Sequence, residues 1–207
     1  MKTPEDLKNG YRDFRRGTYR QQVDLYEELG RGQDPDIMII ACADSRAEPA
    51  DIFNAAPGQL FVVRNVANLV PPYDTSGGLH GVSAALEFAV TALKVKHILI
   101  MGHGGCGGVN ASLSAANDKP VGKFIAPWVS LLDKARDDVL ASKLDDPQRG
   151  LEFAGIGTSI RNLMTFPFVK ERVEAGELEL HGAWFAIAHG ELHWRDSKTG
   201  EFSVIEA

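Results

Sequence analysis

Ile37-Met38-Ile39-Ile40-Ala41 decides the fold, because five apolar residues run there without a polar break. A strand with one wet face alternates apolar and polar residues. An unbroken run predicts a strand buried on both faces, as parallel sheets require. Working outward, residues 49–55 predict a short helix, Pro57-Gly58 a turn, and Leu60-Phe61-Val62-Val63 a second strand. The small residues of 78–93 predict a helix leading into a third strand, His97-Ile98-Leu99-Ile100-Met101. Strand, helix, strand, helix, strand is the order of a parallel sheet with right-handed crossovers.

Before this core, Thr3-Pro4-Glu5-Asp6 reads as a helix start, with Leu7, Tyr11 and Phe14 following at helical spacing. A second helical segment carries Val23 and Tyr26 on one side and ends at Gly30. Beyond the core, 127–144 reads as a helix with an acidic outer face, and 151–166 as one stopped by Pro167. Residues 178–188 and 192–195 read as strands, and a turn at 196–200 precedes Phe202-Ser203-Val204. The expected class is α/β: a central, mostly parallel β-sheet flanked by helices, with an N-terminal helical arm and antiparallel C-terminal edge strands. One domain is expected over 1–207, in three parts: arm 1–35, core 36–116, and helices and strands 117–207.

Composition agrees. A chain of 207 residues suits one domain at roughly 100–200 residues each. Twenty-two basic against 28 acidic residues leave a net charge of −6, which argues against a nucleic-acid partner. No run approaches the roughly 18 apolar residues of a membrane span, and the N-terminus turns acidic at once, unlike a secretory signal. A cytoplasmic, reducing setting is the expectation. The two cysteines, Cys42 and Cys106, are too few for a disulfide framework and need another explanation.

Both cysteines fall at carboxyl ends of expected parallel strands, where open α/β sheets bind ligands as strand order reverses. If the order runs 2-1-3, Cys42, His103 and Cys106 converge. Two thiolates and an imidazole suit zinc, and three protein ligands leave a fourth position open. Taken alone, His103-Gly104-Gly105-Cys106 is a weak signal, equally a chance match or a reactive thiol. Asp44, two residues past Cys42, can accept a hydrogen bond from a zinc-bound hydroxide or bind the metal itself. Arg46 can hold that carboxylate in a bidentate pair. Gly102-His103-Gly104-Gly105-Cys106-Gly107 also matches a dinucleotide fingerprint. That fingerprint belongs after the first strand, with an acid about 20 residues on ending the next strand; here it follows the third, and Asp118 sits in a polar break.

Three blocks together resemble the signatures of β-class carbonic anhydrases, in their plant-like branch. They are Cys42-Ala43-Asp44-Ser45-Arg46, Phe61-Val62-Val63-Arg64-Asn65-Val66-Ala67-Asn68 and Gly102-His103-Gly104-Gly105-Cys106-Gly107-Gly108. The resemblance runs from about 33 to 113, with a weaker echo at 181–185. It implies one zinc ion per subunit on Cys42, His103 and Cys106, with Asp44 and Arg46 as the catalytic dyad. It implies reversible hydration of carbon dioxide to bicarbonate and a proton by zinc-bound hydroxide. Gln33, Phe61, Val66, Phe88 and Gly107 fall at substrate-pocket positions, although Phe88 replaces a Tyr of that branch. Met38 stands in a strand where another branch carries a Trp for regulatory bicarbonate, so that inhibition is not expected. The family is dimeric at least, with Gln and aromatic residues crossing the interface, so a homodimer or higher homo-oligomer is expected.

Two thiolates formally cancel the charge of a zinc dication, so a rate that rises toward alkaline pH is expected. His80 is the candidate proton shuttle, its ordinary pKa lying near neutrality. His97, His181, His189 and His193 receive no role. Two alternatives stay open at this point: hydrolysis of carbon disulfide or carbonyl sulfide on the same scaffold, and a non-enzymatic module with a structural zinc closed by Asp44.

Overall fold

Every second residue of a strand points to the same face, and the apolar run obeys this on both sides at once. In β1 (Ile37–Cys42), Met38 and Ile40 enter one core cluster while Ile39 and Ala41 enter another. In β3 (His97–His103), Ile98 and Ile100 join the first and Leu99 and Met101 the second. With both faces buried, neither strand carries a polar residue between its two ends.

The computed structural model of the chain describes all residues except Gly77, Asp118 and Ala207. The acid at 118, weighed above for a dinucleotide site, therefore lies outside the described residues. The chain forms two compact units, 1–34 and 35–207.

The first unit holds α1 (Pro4–Arg16), α2 (Thr18–Gln21) and α3 (Val23–Leu29). Thr3 caps α1: its hydroxyl accepts from the Asp6 N–H, and the Asp6 carboxylate accepts from the Thr3 N–H. Phe14, Tyr19 and Tyr26 cluster with ring centroids 5.2 to 6.1 Å apart. Of the residues read at helical spacing, Phe14 and Tyr26 thus meet within this unit, joined by Tyr19, while Tyr11 stays exposed.

The second unit is built on one six-stranded sheet in the order β2-β1-β3-β4-β5-β6. Between β1 and β2 (Leu60–Asn65) runs the short helix α4 (Pro49–Ile52). Strands β2, β1, β3 and β4 (Glu179–Ala186) are parallel; β5 (Glu191–Arg195) and β6 (Phe202–Val204) add antiparallel edges. The chain passes from β1 to β2 on one side and to β3 on the other. That order is the 2-1-3 switch on which convergence of the cysteines depended.

Several helices depart from their expected bounds. The helix expected over 78–93 is α5 (Gly81–Glu87) followed by a π-helical turn at Phe88–Ala92. There the Thr91 hydroxyl donates to the Glu87 carbonyl and competes with the helical ladder. Following β3, α6 (Gly107–Ala115) begins directly after Cys106. The segment expected as one acidic helix divides into α7 (Ile125–Val129) and α8 (Asp133–Ala141) around a 3₁₀ turn. Helix α9 (Pro147–Leu163) starts earlier than expected because Asp146 caps it, accepting from the Arg149 N–H at 3.0 Å with Pro147 in the first turn. Pro167 ends nothing by itself; it opens α10 (Pro167–Glu174), where its missing N–H costs nothing.

Helix α9 positions the site from behind. A Cβ on Gly102 or on Gly182 would stand 2.9 or 2.8 Å from side-chain carbons of Ile156. Those two glycines let α9 lie close on β3 and β4 and bring Gln148 and Glu152 to the sheet's carboxyl end. Ile156 itself is fully buried.

Candidate metal centre

Cys42 is the last residue of β1, His103 the last of its neighbour β3, and Cys106 directly precedes α6. The loop between His103 and Cys106 turns back through Gly105, whose φ of +66° is open to glycine at little cost. Gly104 is needed for space, since a Cβ there would meet the Trp184 ring at 3.1 Å. Bending and close packing, rather than phosphate binding, account for these glycines. The result is a buried Cys–His–Cys set: Cys42 is 6% exposed, His103 1% and Cys106 1%.

Geometry and chemistry both fit a zinc-like cation. One donor atom from each of the three residues lies within 4.8 Å of the others. The two Sγ atoms are 3.8 Å apart, both cysteines being free thiols. Tetrahedral zinc with sulfur ligands at about 2.3 Å places such atoms about 3.8 Å apart. His103 Nδ1 lies 3.0 Å from the Gly104 carbonyl, which can only accept, so Nδ1 carries the proton and Nε2 the lone pair. Nε2 is buried with no hydrogen-bond partner among the described residues, a cost a metal would remove. The thiols point the same way. The hydrogen bond shared by the two sulfurs pulls the Cys42 thiol well below its usual pKa, against burial pushing up. That same bond, together with burial, pushes the Cys106 pKa up. Both can be thiolates at once only if a cation lies between them.

Beside this set stands a carboxylate held in one orientation. Asp44 Oδ1 accepts from Arg46 Nε and from the Arg46 backbone N–H, each at 2.9 Å, and Oδ2 accepts from Arg46 Nη2 at 2.7 Å. These bonds hold the Asp44 carboxyl well below the usual carboxylate range. Arg46 Nη2 also donates to the Gly105 carbonyl at 3.2 Å, tying the dyad to the loop between the other two ligands. Asp44 Oδ2 is 3.8 Å from His103 Nε2. The carboxylate is therefore next to the donor set yet committed to Arg46.

Two supports escaped the sequence reading. Arg64, on β2, donates to the carbonyls of Cys42 (2.9 Å) and Asp44 (2.6 Å) and pairs with Glu48. It straps the loop that carries a ligand and the dyad acid. The signal was a lone Arg inside the apolar strand Phe61-Val62-Val63. Glu152 on α9, 4% exposed, accepts from the Cys106 N–H, from Gln148 Nε2 and from Trp184 Nε1 at 2.8 to 2.9 Å. No sequence signal marked it, because two of its donors, the Cys106 N–H and Trp184 Nε1, come from distant segments, and only Gln148 is a neighbour on α9.

The pocket residues divide. Val66 packs with the cluster containing Cys42 and Cys106, and its carbonyl accepts from Trp128 Nε1 at 2.7 Å. Gly107 is the first residue of α6, next to Cys106. Phe61 and Phe88 meet each other, ring centroids 6.0 Å apart, with Phe88 47% exposed. Phe61 pairs with Met38, four residues before the Cys42–Asn65 pair, so along the strand it sits about 13 Å from the metal end. Within one chain these aromatics are not brought to Cys42. Gln33 is exposed in the first unit, and His80 is exposed just before α5.

A family model described as carbonic anhydrase matches residues 37–192. Among named relatives, β carbonic anhydrase 3 of Arabidopsis thaliana is 35% identical over 192 residues, covering 90% of this chain and 74% of its own length. The chloroplastic β carbonic anhydrase 5 of that plant is 37% identical over 185 residues, covering 87% of this chain, which spans only 61% of that relative. Of solved structures, the β-carbonic anhydrase CcaA superposes with a TM-score of 0.90 at 33% identity, covering 98% of this chain and 92% of its own. A tetrameric β-carbonic anhydrase from Sordaria macrospora gives 0.82 at 29% identity, covering 96% of this chain and 98% of its own.

Proposed function

Because this chain belongs to the β-class carbonic anhydrase family and is an enzyme of that kind, we propose that it interconverts carbon dioxide and bicarbonate with one zinc ion per subunit, held by Cys42, His103 and Cys106. When bound, zinc supplies Lewis acidity that makes hydroxide available near neutral pH. Cys42, His103 and Cys106 would hold the ion, and three protein ligands would leave a coordination position for the reaction. Asp44, ionised and fixed by the Arg46 fork, is an acceptor only. It would accept a hydrogen bond from an entering water or hydroxide, leaving an oxygen lone pair turned toward carbon. Arg46, by binding both carboxylate oxygens, would keep Asp44 from ligating the ion. Glu152 holds the Cys106 backbone, and Arg64 the Cys42 loop, so that the donor set is in place before substrate arrives.

Carbon dioxide is small and apolar and asks for a narrow apolar slot. Val66 and Gly107 border it from the chain that holds the metal. Phe61, Phe88 and Gln33 are assigned to the same slot from a second copy, in a homodimer or larger homo-oligomer; the half-exposed Phe61–Phe88 pair supports this reading. His80 is assigned as the shuttle that carries the released proton away. The cytoplasm, or another reducing compartment, keeps the two buried thiols free for metal. No helix among the described residues is long and apolar enough to cross a membrane.

The observation that carries this reading is the Asp44 carboxylate, bound by both side-chain arms of Arg46 beside an unpartnered His103 Nε2. A structural zinc site would need Asp44 on the ion and free of Arg46. Asp44→Asn separates the two: retained zinc with a hydration rate lowered by about 10²-fold or more supports catalysis. Loss of metal at unchanged fold would mean a structural site.

A further inference from the structure

A second set of donors converges at the other end of β3. His97 opens that strand, Glu179 opens the adjacent β4 directly beside it in register, and His181 follows two residues on, on the same face. His181 Nε2 lies 3.3 Å from His97 Nδ1, and each of these nitrogens lies 3.5 Å from the same carboxylate oxygen, Glu179 Oε2. Ligands at about 2.0–2.1 Å around a tetrahedral ion stand about 3.3–3.4 Å apart, so the three atoms already form one face of that figure.

Hydrogen bonding serves this triangle poorly. One proton between the imidazoles leaves Glu179 Oε2 facing a lone pair, and two N–H groups aimed at Oε2 crowd each other at 3.3 Å, whereas a divalent cation takes a lone pair from all three. The backbone beneath is fixed, since the Glu179 N–H donates to the Lys96 carbonyl at 2.9 Å and the His97 N–H to the Asp36 carbonyl at 3.1 Å. The His181 ring rests near Trp194, centroids 5.6 Å apart. The side chains are reachable from water, with exposures of 39% for His97, 25% for His181 and 67% for Glu179.

We propose that His97, Glu179 and His181 form a second binding site for a divalent cation of the zinc type, clamping the starts of β3 and β4 and leaving a fourth position to water. Two imidazoles and one carboxylate form a donor set that suits zinc better than calcium or magnesium, which want more oxygens. The length of β3 from His97 to His103, about 20 Å of strand, separates this site from Cys42, His103 and Cys106. Occupancy therefore adds a metal and ties two strand ends without entering the reaction. The site does not rest on the activity proposed above.

The test titrates the holoprotein with zinc chloride by calorimetry and counts zinc after gel filtration, for wild type, His97→Ala, Glu179→Gln and the double variant His97→Ala/His181→Ala. The expected result is a further equivalent in the wild type that the single variants bind at least about tenfold more weakly, since even outer partners of a metal are worth about 10–100-fold. Zinc held before titration and the hydration rate should be unchanged in His97→Ala and Glu179→Gln, which also shows that they fold. The comparison among variants, rather than the total count, assigns the equivalent, so a failure here is distinguishable from an empty Cys–His–Cys site. A wild type that takes up no further zinc, or a double variant that takes it up with unchanged affinity, would overturn the proposal.

Discussion

Strand β3 begins at one donor cluster and ends at the other, and the two differ more in setting than in geometry. His97 is 39% exposed; His103 is 1% exposed. The carboxyl end draws its donors from two strand ends and a glycine loop, encloses them, and backs each with a hydrogen bond. The amino end uses adjacent strand starts, one oxygen donor and open water. Three converging atoms are common to both. What distinguishes a reaction centre is the buried unpartnered Nε2, the paired thiols and the Asp44–Arg46 dyad. An exposed His–Glu–His face can gather a cation but offers it no oriented base.

That contrast can be broken or sharpened by substitution. The largest effect belongs to His103→Ala, which should abolish the bound zinc and drop kcat/KM for carbon dioxide by about 10³-fold or more, as loss of the metal-activated nucleophile implies. Stopped-flow hydration with parallel metal analysis reads both. Next comes Asp44→Asn, with metal kept and rate lowered by about 10²-fold or more. Glu152→Gln should weaken zinc affinity by about 10–100-fold in a chelator competition, with a smaller loss of saturated rate, because it acts on Cys106 through the backbone. Smallest is His97→Ala, which should leave the hydration rate within experimental error. A rate change there as large as that of Glu152→Gln would erase the division between the two ends.

The sequence was most legible where one residue type had only one use. The unbroken run Ile37–Ala41 forced a strand buried on both faces, and β–α alternation gave a parallel sheet, while the 2-1-3 order stood only as a condition until the structure supplied it. The Cys42 and Cys106 positions at strand ends, with His103, pointed to the metal before any coordinates. Other features were illegible for physical reasons. Glu152 acts on the Cys106 N–H and the Trp184 ring, 46 and 32 residues away, and its one local partner, Gln148, does not mark it. Pro167 was read as a stop because proline ends helices as readily as it begins them. His97 and His181 looked like surface histidines because their meeting depends on β3–β4 register, which periodicity does not reveal. The Phe61–Phe88 pair shows the remaining gap: both residues were named for one pocket, yet within a single chain they sit together, well along β2 from Cys42.

Zinc content and carbon dioxide hydration rate, measured on the same samples of wild type and Cys106→Ser, bear most directly on the assignment of the Cys42–His103–Cys106 centre. Tight, chelator-resistant zinc with rapid hydration in the wild type, and loss of both in a folded Cys106→Ser protein, is the expected pair of results. Full hydration by a Cys106→Ser protein that holds no zinc would contradict it.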